Sequence, residues 1–478
     1  MDVARILTAK GYSIRKDGLT KEQEEHLVKS LTVAPRTLPK FSKGVQTFRL
    51  YLESTARYYV PRAWGADTFG PPEANCVAMG LDLPAAVRFK GTPYPYQETI
   101  ITSFIDQGAN GLICVPCGRG KTFMALSIAV RLGKRVLIVV DKEFLMNQWK
   151  GEIATYVDGA RVGILQSSHA ETDPALYDIT ICMIQTVCLR DFAPGTFDGY
   201  GFTIFDECHH LGAQHFSGVL KKIQTRCMLG LSATPDRDDG LTKVFEYYLG
   251  KPVYQEKTRD PDPTVKVRAV WFTSEDSTYR DEPRDWRGEL VTARLLTQIV
   301  EHAPRTALVL AQLNALAADP RRKILVLSER KAHLSDIEAG LTHGITKGYY
   351  VGGMKQADLD RNAETCQVLL ATYAMASEAM NIKALNAMIM ASPRKKVEQS
   401  TGRILRTTVE KRIVEPLIID IIDQHDTYVR QWYLRQRYYK KCAYSVEHVG
   451  KPVKVGLEVA AAQEAALAGG CLIRLPGL

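Results

Sequence analysis

A short run of small and basic residues carries the first recognisable chemistry. Val115-Pro-Cys-Gly-Arg-Gly-Lys-Thr122 follows the apolar run Gly111-Leu-Ile-Cys-Val115 and opens a helical stretch, Phe123 to Leu132. That is the context in which a glycine-rich loop holds phosphate. Gly118 and Gly120 let the backbone turn its N–H groups inward, and the helix N-terminus adds its positive dipole end. Lys121 would reach the β- and γ-phosphates of a nucleotide, and Thr122 would ligate Mg2+. The strict G-x-x-x-x-G-K-[ST] pattern has glycine where this chain has Val115. Farther on, an apolar run ends in Asp206-Glu-Cys-His-His210, which sends a carboxylate pair out of the C-terminal edge of a sheet beside the loop. Asp206 would hold Mg2+ through water, and Glu207 would orient and deprotonate an attacking water. The rival reading is a metal centre on Cys208, His209 and His210, but adjacent residues on one turn do not converge on one ion. Cys114 and Cys117 form C-x-x-C, one in an apolar strand and one in the loop, which suits packing better than redox chemistry.

A second group lies well downstream. Gln399-Ser-Thr-Gly-Arg-Ile-Leu-Arg406 places Arg403 and Arg406 three apart, so that both can point one way from a helix. The segment begins farther past Thr234 than one βαβ domain needs to complete itself, so the arginines belong to a second domain. Supplied across a cleft they would act as arginine fingers on the γ-phosphate; alone, such a pair is more often a solvated basic face. Ser232-Ala233-Thr234, after the run Cys227 to Leu231, is placed to link the phosphate site to a nucleic-acid face.

These groups need a scaffold, and the apolar runs supply one. Residues 136–140, 179–183 and 202–205 in the first half, and 324–327, 368–371, 387–390 and 417–422 in the second, are short, largely apolar runs alternating with helical stretches. This pattern predicts parallel sheets covered on both faces. The fold class expected is α/β, with two tandem RecA-like domains at 85–256 and 257–450, a small N-terminal accessory domain at 1–84 and a C-terminal tail at 451–478. The polar, Pro-containing segment Gln255 to Thr264 reads as the linker. Lys21 to Leu31 reads as helical, and the tail allows one short helix, Leu457 to Leu467.

The 478 residues are 45% hydrophobic and 24% charged, an ordinary soluble composition that excludes wholesale disorder and fibrous architectures. A net charge of +9 suits a polyanionic partner and is only weak support for one. Scattered cysteines in apolar runs (Cys114, Cys182, Cys227) suit a reducing, intracellular compartment. No segment approaches 18 uninterrupted apolar residues.

Taken together, the ordered motifs resemble those of the superfamily-two helicases. Tyr96-Gln97 looks like their adenine-contacting element, Pro116-Cys117-Gly118-Arg119-Gly120-Lys121-Thr122 like motif I and Asp206-Glu-Cys-His209 like motif II. Ser232-Ala233-Thr234 looks like motif III, and Gln399 to Arg406 like motif VI. Leu325 to Arg330, Tyr350 to Met354, Ala371 to Glu378 and Ile418 to Asp423 are similar to the branch holding the xeroderma-pigmentosum-B type repair helicase and helicases of large cytoplasmic DNA viruses, including the poxvirus transcript-release type. The resemblance runs from about residue 85 to 445.

It implies an ATP- and Mg2+-dependent, nucleic-acid-stimulated ATPase, a helicase or translocase moving 3′ to 5′, with DNA expected as its track over RNA. It further implies a monomeric motor working with transcription or repair machinery, away from membranes. If the chain is viral, its place is host cytoplasm or nucleus, and the virion. A double-strand DNA translocase that does not separate strands, or an RNA helicase, is the alternative. Gln399 joins the catalytic set by resemblance. Asn381 would contact ribose, although relatives carry Asp there in E-G-[LI]-D and this chain reads Glu378-Ala-Met-Asn381. By resemblance Gln148, Trp149, Gln185, Thr186, Gly352, Gly353 and Thr372 would line the nucleic-acid groove; Trp149 also reads as a core aromatic at a helix end. Between Tyr428 and Lys441, Tyr428, Trp432 and Tyr439 repeat at helical spacing, which predicts a buried stripe with the bases snorkelling outward.

Overall fold

Strands that are apolar on every residue must be covered on both faces, and in the computed structural model they are. The structure describes residues 4–35, 47–116, 118–212, 217–233, 239–256, 261–378, 380, 382, 384–402, 404–405 and 411–450, with backbone alone for Ser377, Glu378 and Gln399. Contacts divide the chain into two units, residues 1–259 and 260–478.

In the first unit β1 (Asn110–Cys114), β2 (Val136–Val140), β3 (Val162–Gln166), β4 (Ile179–Met183), β5 (Phe202–Phe205), β6 (Cys227–Ser232) and β7 (Pro252–Gln255) form a parallel sheet. Their order is β3-β4-β2-β5-β6-β1-β7, with His169–Ala170 added antiparallel outside β3. Alternate residues feed two cores. Ile113, Ile138 and Ile204 pack with Ile100, Met124 and Trp149 from α1 (Pro95–Asp106), α2 (Lys121–Leu132) and α3 (Glu143–Tyr156). Leu112, Leu137 and Phe205 face the other way.

The first 84 residues carry a five-stranded sheet of their own, in the order Leu52–Glu53, Arg57–Val60, Gly11–Arg15, Arg5–Thr8, Ala74–Asn75. The expected helix Lys21–Leu31 is present, started by a capping box of Thr20 and Gln23. This segment packs as a layer of the first unit. Tyr12, Tyr58 and Trp64 share one hydrophobic cluster with Leu112, Leu137 and Phe245. Arg62, 7% exposed, donates to the Thr225 carbonyl at 2.8 Å, and the Tyr248 hydroxyl donates to that of Leu50 at 2.6 Å.

In the second unit β8 (Lys266–Phe272), β9 (Ile324–Ser328), β10 (Lys347–Tyr350), β11 (Val368–Thr372), β12 (Ala387–Met390), β13 (Leu417–Asp423) and β14 (Ser445–Val449) are all parallel. Their order is β10-β11-β9-β12-β13-β8-β14. Both halves therefore have the α/β, RecA-like architecture of tandem parallel sheets. Helix α4 (Thr292–Glu301) packs its Leu295 and Ile299 against Tyr279 and Tyr428, and helices α5 (Ala303–Ala317) and α6 (Asp426–Lys441) pack on this sheet.

Two carboxylates of β13 are buried and each is matched by a buried guanidinium. Arg305 donates twice to Asp423, at 2.6 and 2.8 Å, and Arg435 donates twice to Asp420, at 2.8 and 2.9 Å. On α6 the aromatic stripe is buried as expected, with Tyr428, Trp432 and Tyr439 at 5, 1 and 0% exposure. Arg435 departs from the snorkelling expected of the bases: it is 2% exposed because Asp420 gives its charge an internal partner. The tail and its short helix lie outside the described residues. Among the described residues no helix is long and apolar enough to cross a membrane.

Candidate nucleotide site and nucleic-acid face

The phosphate loop leaves β1 and enters α2, so its backbone ends at a helix N-terminus. Gly118 and Gly120 have φ of +87° and +81°, the left-handed region where a side chain is strained. Gly120 is doubly constrained, since a Cβ there would sit 2.5 Å from Gln97 Nε2. Gln97, 4% exposed, braces two segments at once: its Nε2–H donates to the Arg119 carbonyl at 3.1 Å, and its Oε1 accepts from the Tyr94 backbone N–H at 3.0 Å. Tyr96 also donates to the Arg119 carbonyl, at 3.2 Å, and stacks on Tyr94 with centroids 6.1 Å apart. The Arg119 guanidinium lies 5.0 Å from the Tyr96 ring centre and pairs with Glu256, Nε to Oε1 at 3.1 Å and Nη2 to Oε1 at 2.5 Å. Glu256, just past β7, was not singled out in the sequence, because nothing local marks an ion pair spanning 137 positions.

The acidic pair emerges two strands from the loop, across β6. Lys121 Nζ lies 3.5 Å from Glu207 Oε1. Glu207 has φ of +44°, an uncommon conformation for a residue with a side chain, of the sort held where function requires it. Asp206 accepts from the Trp149 indole N–H on Oδ2 at 2.8 Å and from the Glu207 backbone N–H on Oδ1 at 2.9 Å. Burial, and then the neighbouring Glu207 charge, push the Asp206 carboxyl up to about 6. Such a pair of crowded carboxylates, with the Thr122 hydroxyl at the first turn of α2, is a hard-oxygen donor set of the kind Mg2+ takes. The residues present therefore fit a magnesium nucleotide.

The rings of His209 and His210 lie 4.3 Å apart, centroid to centroid, but their nitrogens take different partners. His209 Nδ1 lies 3.0 Å from Ser232 Oγ and 3.4 Å from Glu207 Oε2, while His210 Nε2 is 3.7 Å from Asp141 Oδ2. Cys208 is fully buried in the core. Ser232 at the end of β6 is thus tied to the acidic pair through His209, with Ala233 next along the chain. Thr234 and Cys117 lie outside the described residues.

The expected nucleic-acid contacts separate. Trp149 is 1% exposed, so its indole supports Asp206 and presents no surface; this corrects its place in the groove, because the Asp206 carboxylate gives the buried indole N–H its acceptor. Thr186, 7% exposed, accepts from the Ser167 N–H at 2.9 Å, and Gln185 donates to the Asp141 carbonyl at 2.7 Å. Both side chains shape loops at the C-terminal edge of the first sheet. Gln148 is half-buried beside Trp149. In the second unit Gly352 and Gly353 are exposed just beyond β10, and Thr372, half-buried, ends β11. Asn381, Arg403 and Arg406 lie outside the described residues, as does the Gln399 side chain.

Comparison with known proteins gives a consistent set. Residues 90–237 match the family described as Type III restriction enzyme, res subunit. A protein of Acanthamoeba polyphaga mimivirus named as an ATP-dependent RNA helicase is 30% identical over 458 residues, covering 92% of this chain and 86% of that one. An African swine fever virus protein, also named as an ATP-dependent RNA helicase, is 26% identical over 69% of this chain and 68% of its own length. A protein of Escherichia phage T5 named as a helicase is 27% identical over 66% and 68%.

Proposed function

Because the chain belongs to the superfamily-two helicases related to those of large DNA viruses, it is a nucleic-acid-dependent ATPase, and we propose that it uses ATP to move 3′ to 5′ along DNA in transcription termination, repair or recombination, in the manner of the xeroderma-pigmentosum-B branch. The observation that supports this best is the pairing of Lys121 with Glu207 at 3.5 Å across a glycine cradle. Phosphate oxygens entering the cradle compete for the same ammonium, which releases Glu207 to orient and deprotonate water.

Thr122 and Asp206 would hold Mg2+, whose contribution is to neutralise charge on the β- and γ-phosphates. Trp149 fixes the rotamer of Asp206 from behind. Through His209 and Ser232 the state of Glu207 is available to the next loop. Arg403 and Arg406 complete the site from the second domain as arginine fingers, with Gln399 beside them in the catalytic set, and Asn381 meets the ribose. Gly352, Gly353 and Thr372 contact phosphates without reading bases. The names carried by the mimivirus and swine fever virus relatives favour RNA as a second reading of the track.

ATPase rates measured side by side with single-stranded DNA, duplex DNA and RNA decide the polymer. Lys121→Ala is expected to lose hydrolysis in all three. Glu207→Gln should bind ATP and lose at least about a hundredfold in turnover; turnover near the unmodified rate would remove Glu207 from its role. Displacement of a triplex strand without duplex unwinding would assign translocation alone.

A further inference from the structure

Of the large hydrophobic side chains among the described residues, Trp286 is the most exposed, at 85%. It is not loosely placed. Asp285 Oδ1 accepts from the backbone N–H groups of Arg287 and Glu289, both at 2.9 Å, and the Gly288 N–H donates to the Asp285 carbonyl at 2.9 Å. Gly288 takes the φ of +76° that the turn demands. Arg284 pairs antiparallel with Leu290, and its Nη1 donates to the Gly288 carbonyl at 2.9 Å. None of these bonds uses the indole. The turn presents Trp286 without needing it, and the Arg287 guanidinium lies over its ring, 4.3 Å from the centre.

The turn sits between β8 and α4, above the C-terminal edge of the second sheet, and connects to the expected phosphate contacts. The Val291 N–H donates to the Pro283 carbonyl at 2.8 Å at the entry to α4, and Arg330 Nη2 donates to the Ala293 carbonyl in its first turn at 3.2 Å. The next residue, Lys331, donates to the Gly352 carbonyl at 3.1 Å. A short chain of contacts thus runs from the turn to Gly352. Charge at the turn is mixed: Glu282 pairs with Arg284, Asp285 and Glu289 flank Trp286 along the chain, and the Arg287 guanidinium lies over the ring. Mixed charge gives a phosphate no net attraction to the turn, whereas the exposed face of an indole attracts any flat aromatic group.

We propose that Trp286 is a stacking post for an unpaired nucleobase, standing at one end of the strand whose phosphates run past Gly352. This rests on the nucleic-acid path proposed above and adds a base contact that is independent of charge. The test uses the full chain and fluorescence anisotropy with a single strand of roughly 15 nucleotides, compared with an abasic strand of the same length. Trp286→Ala should weaken binding of the base-bearing strand about tenfold, leave the salt slope unchanged and leave abasic binding unchanged, while Trp286→Tyr keeps the affinity. Unchanged binding in Trp286→Ala, or an equal loss on the abasic strand, overturns the post. Lys331→Glu probes the path: if it weakens both strands while Trp286→Ala weakens neither, the path stands and the post falls. If the unmodified protein binds neither strand, both fall.

Discussion

At the level of single residues, the candidate nucleotide site could be proposed from sequence because its chemistry is local. Gly118, Gly120, Lys121 and Thr122 are consecutive or nearly so, and a glycine that must take positive φ announces itself in sequence. Contacts that fix those residues were not legible, because they are made across the fold. Trp149 donates to Asp206 over 57 positions and Arg119 pairs with Glu256 over 137. No periodicity encodes such meetings, so the sequence left Trp149 between a groove contact implied by resemblance and a core aromatic, and its burial bears out the second.

His333 gives a prediction at the same scale. It is 1% exposed, its Nδ1 lies 3.0 Å from Ser328 Oγ, and burial, with the nearby Arg305 charge, pushes its ring down to about 3. A depressed histidine contributes stability above its unfolded pKa of about 6.5 and loses it as pH falls toward the folded value. The second unit should lose about 2 kcal/mol between pH 6.5 and 5. Denaturant midpoints over that range check it, and His333→Asn should flatten the slope.

Among the elements, strands that are apolar throughout were found almost to the residue: 136–140, 179–183, 202–205 and 387–390 coincide with β2, β4, β5 and β12. Strands with mixed faces, such as β8 and β14, and the two-residue strands of the first 84 positions carry no such signal. Their ladders exist because neighbours supply hydrogen bonds, which composition alone does not reveal. Asp420 and Asp423 interrupt the apolar run of β13 for a reason visible only in three dimensions, the guanidiniums of Arg435 and Arg305. Asp423→Asn leaves Arg305 buried without its counter-charge and should cost about 3–5 kcal/mol. Urea unfolding followed in the second unit measures this; the double replacement Asp423→Leu with Arg305→Met should cost clearly less.

For the whole molecule, the division at 259 and 260 makes a further prediction. Residues 1–259 contain Lys121, Asp206 and Glu207, while Arg403 and Arg406 belong to 260–478. A fragment of the first unit should bind ATP with an affinity that Lys121→Ala abolishes, and should show no nucleic-acid-stimulated hydrolysis; titration calorimetry and a phosphate-release assay read the two. Stimulated turnover by that fragment would remove the second unit from catalysis.

The layer built from the first 84 residues also has a consequence during synthesis. Its core is completed by residues made much later, since Leu50 meets Tyr248 and Trp64 shares a cluster with Phe245. At about 5–20 residues per second, the ribosome exposes Tyr12, Tyr58 and Trp64 for on the order of ten seconds before their partners emerge. The opening segment must wait, half-finished and sticky, so its production in a host should depend on holding chaperones more than the length of either unit suggests.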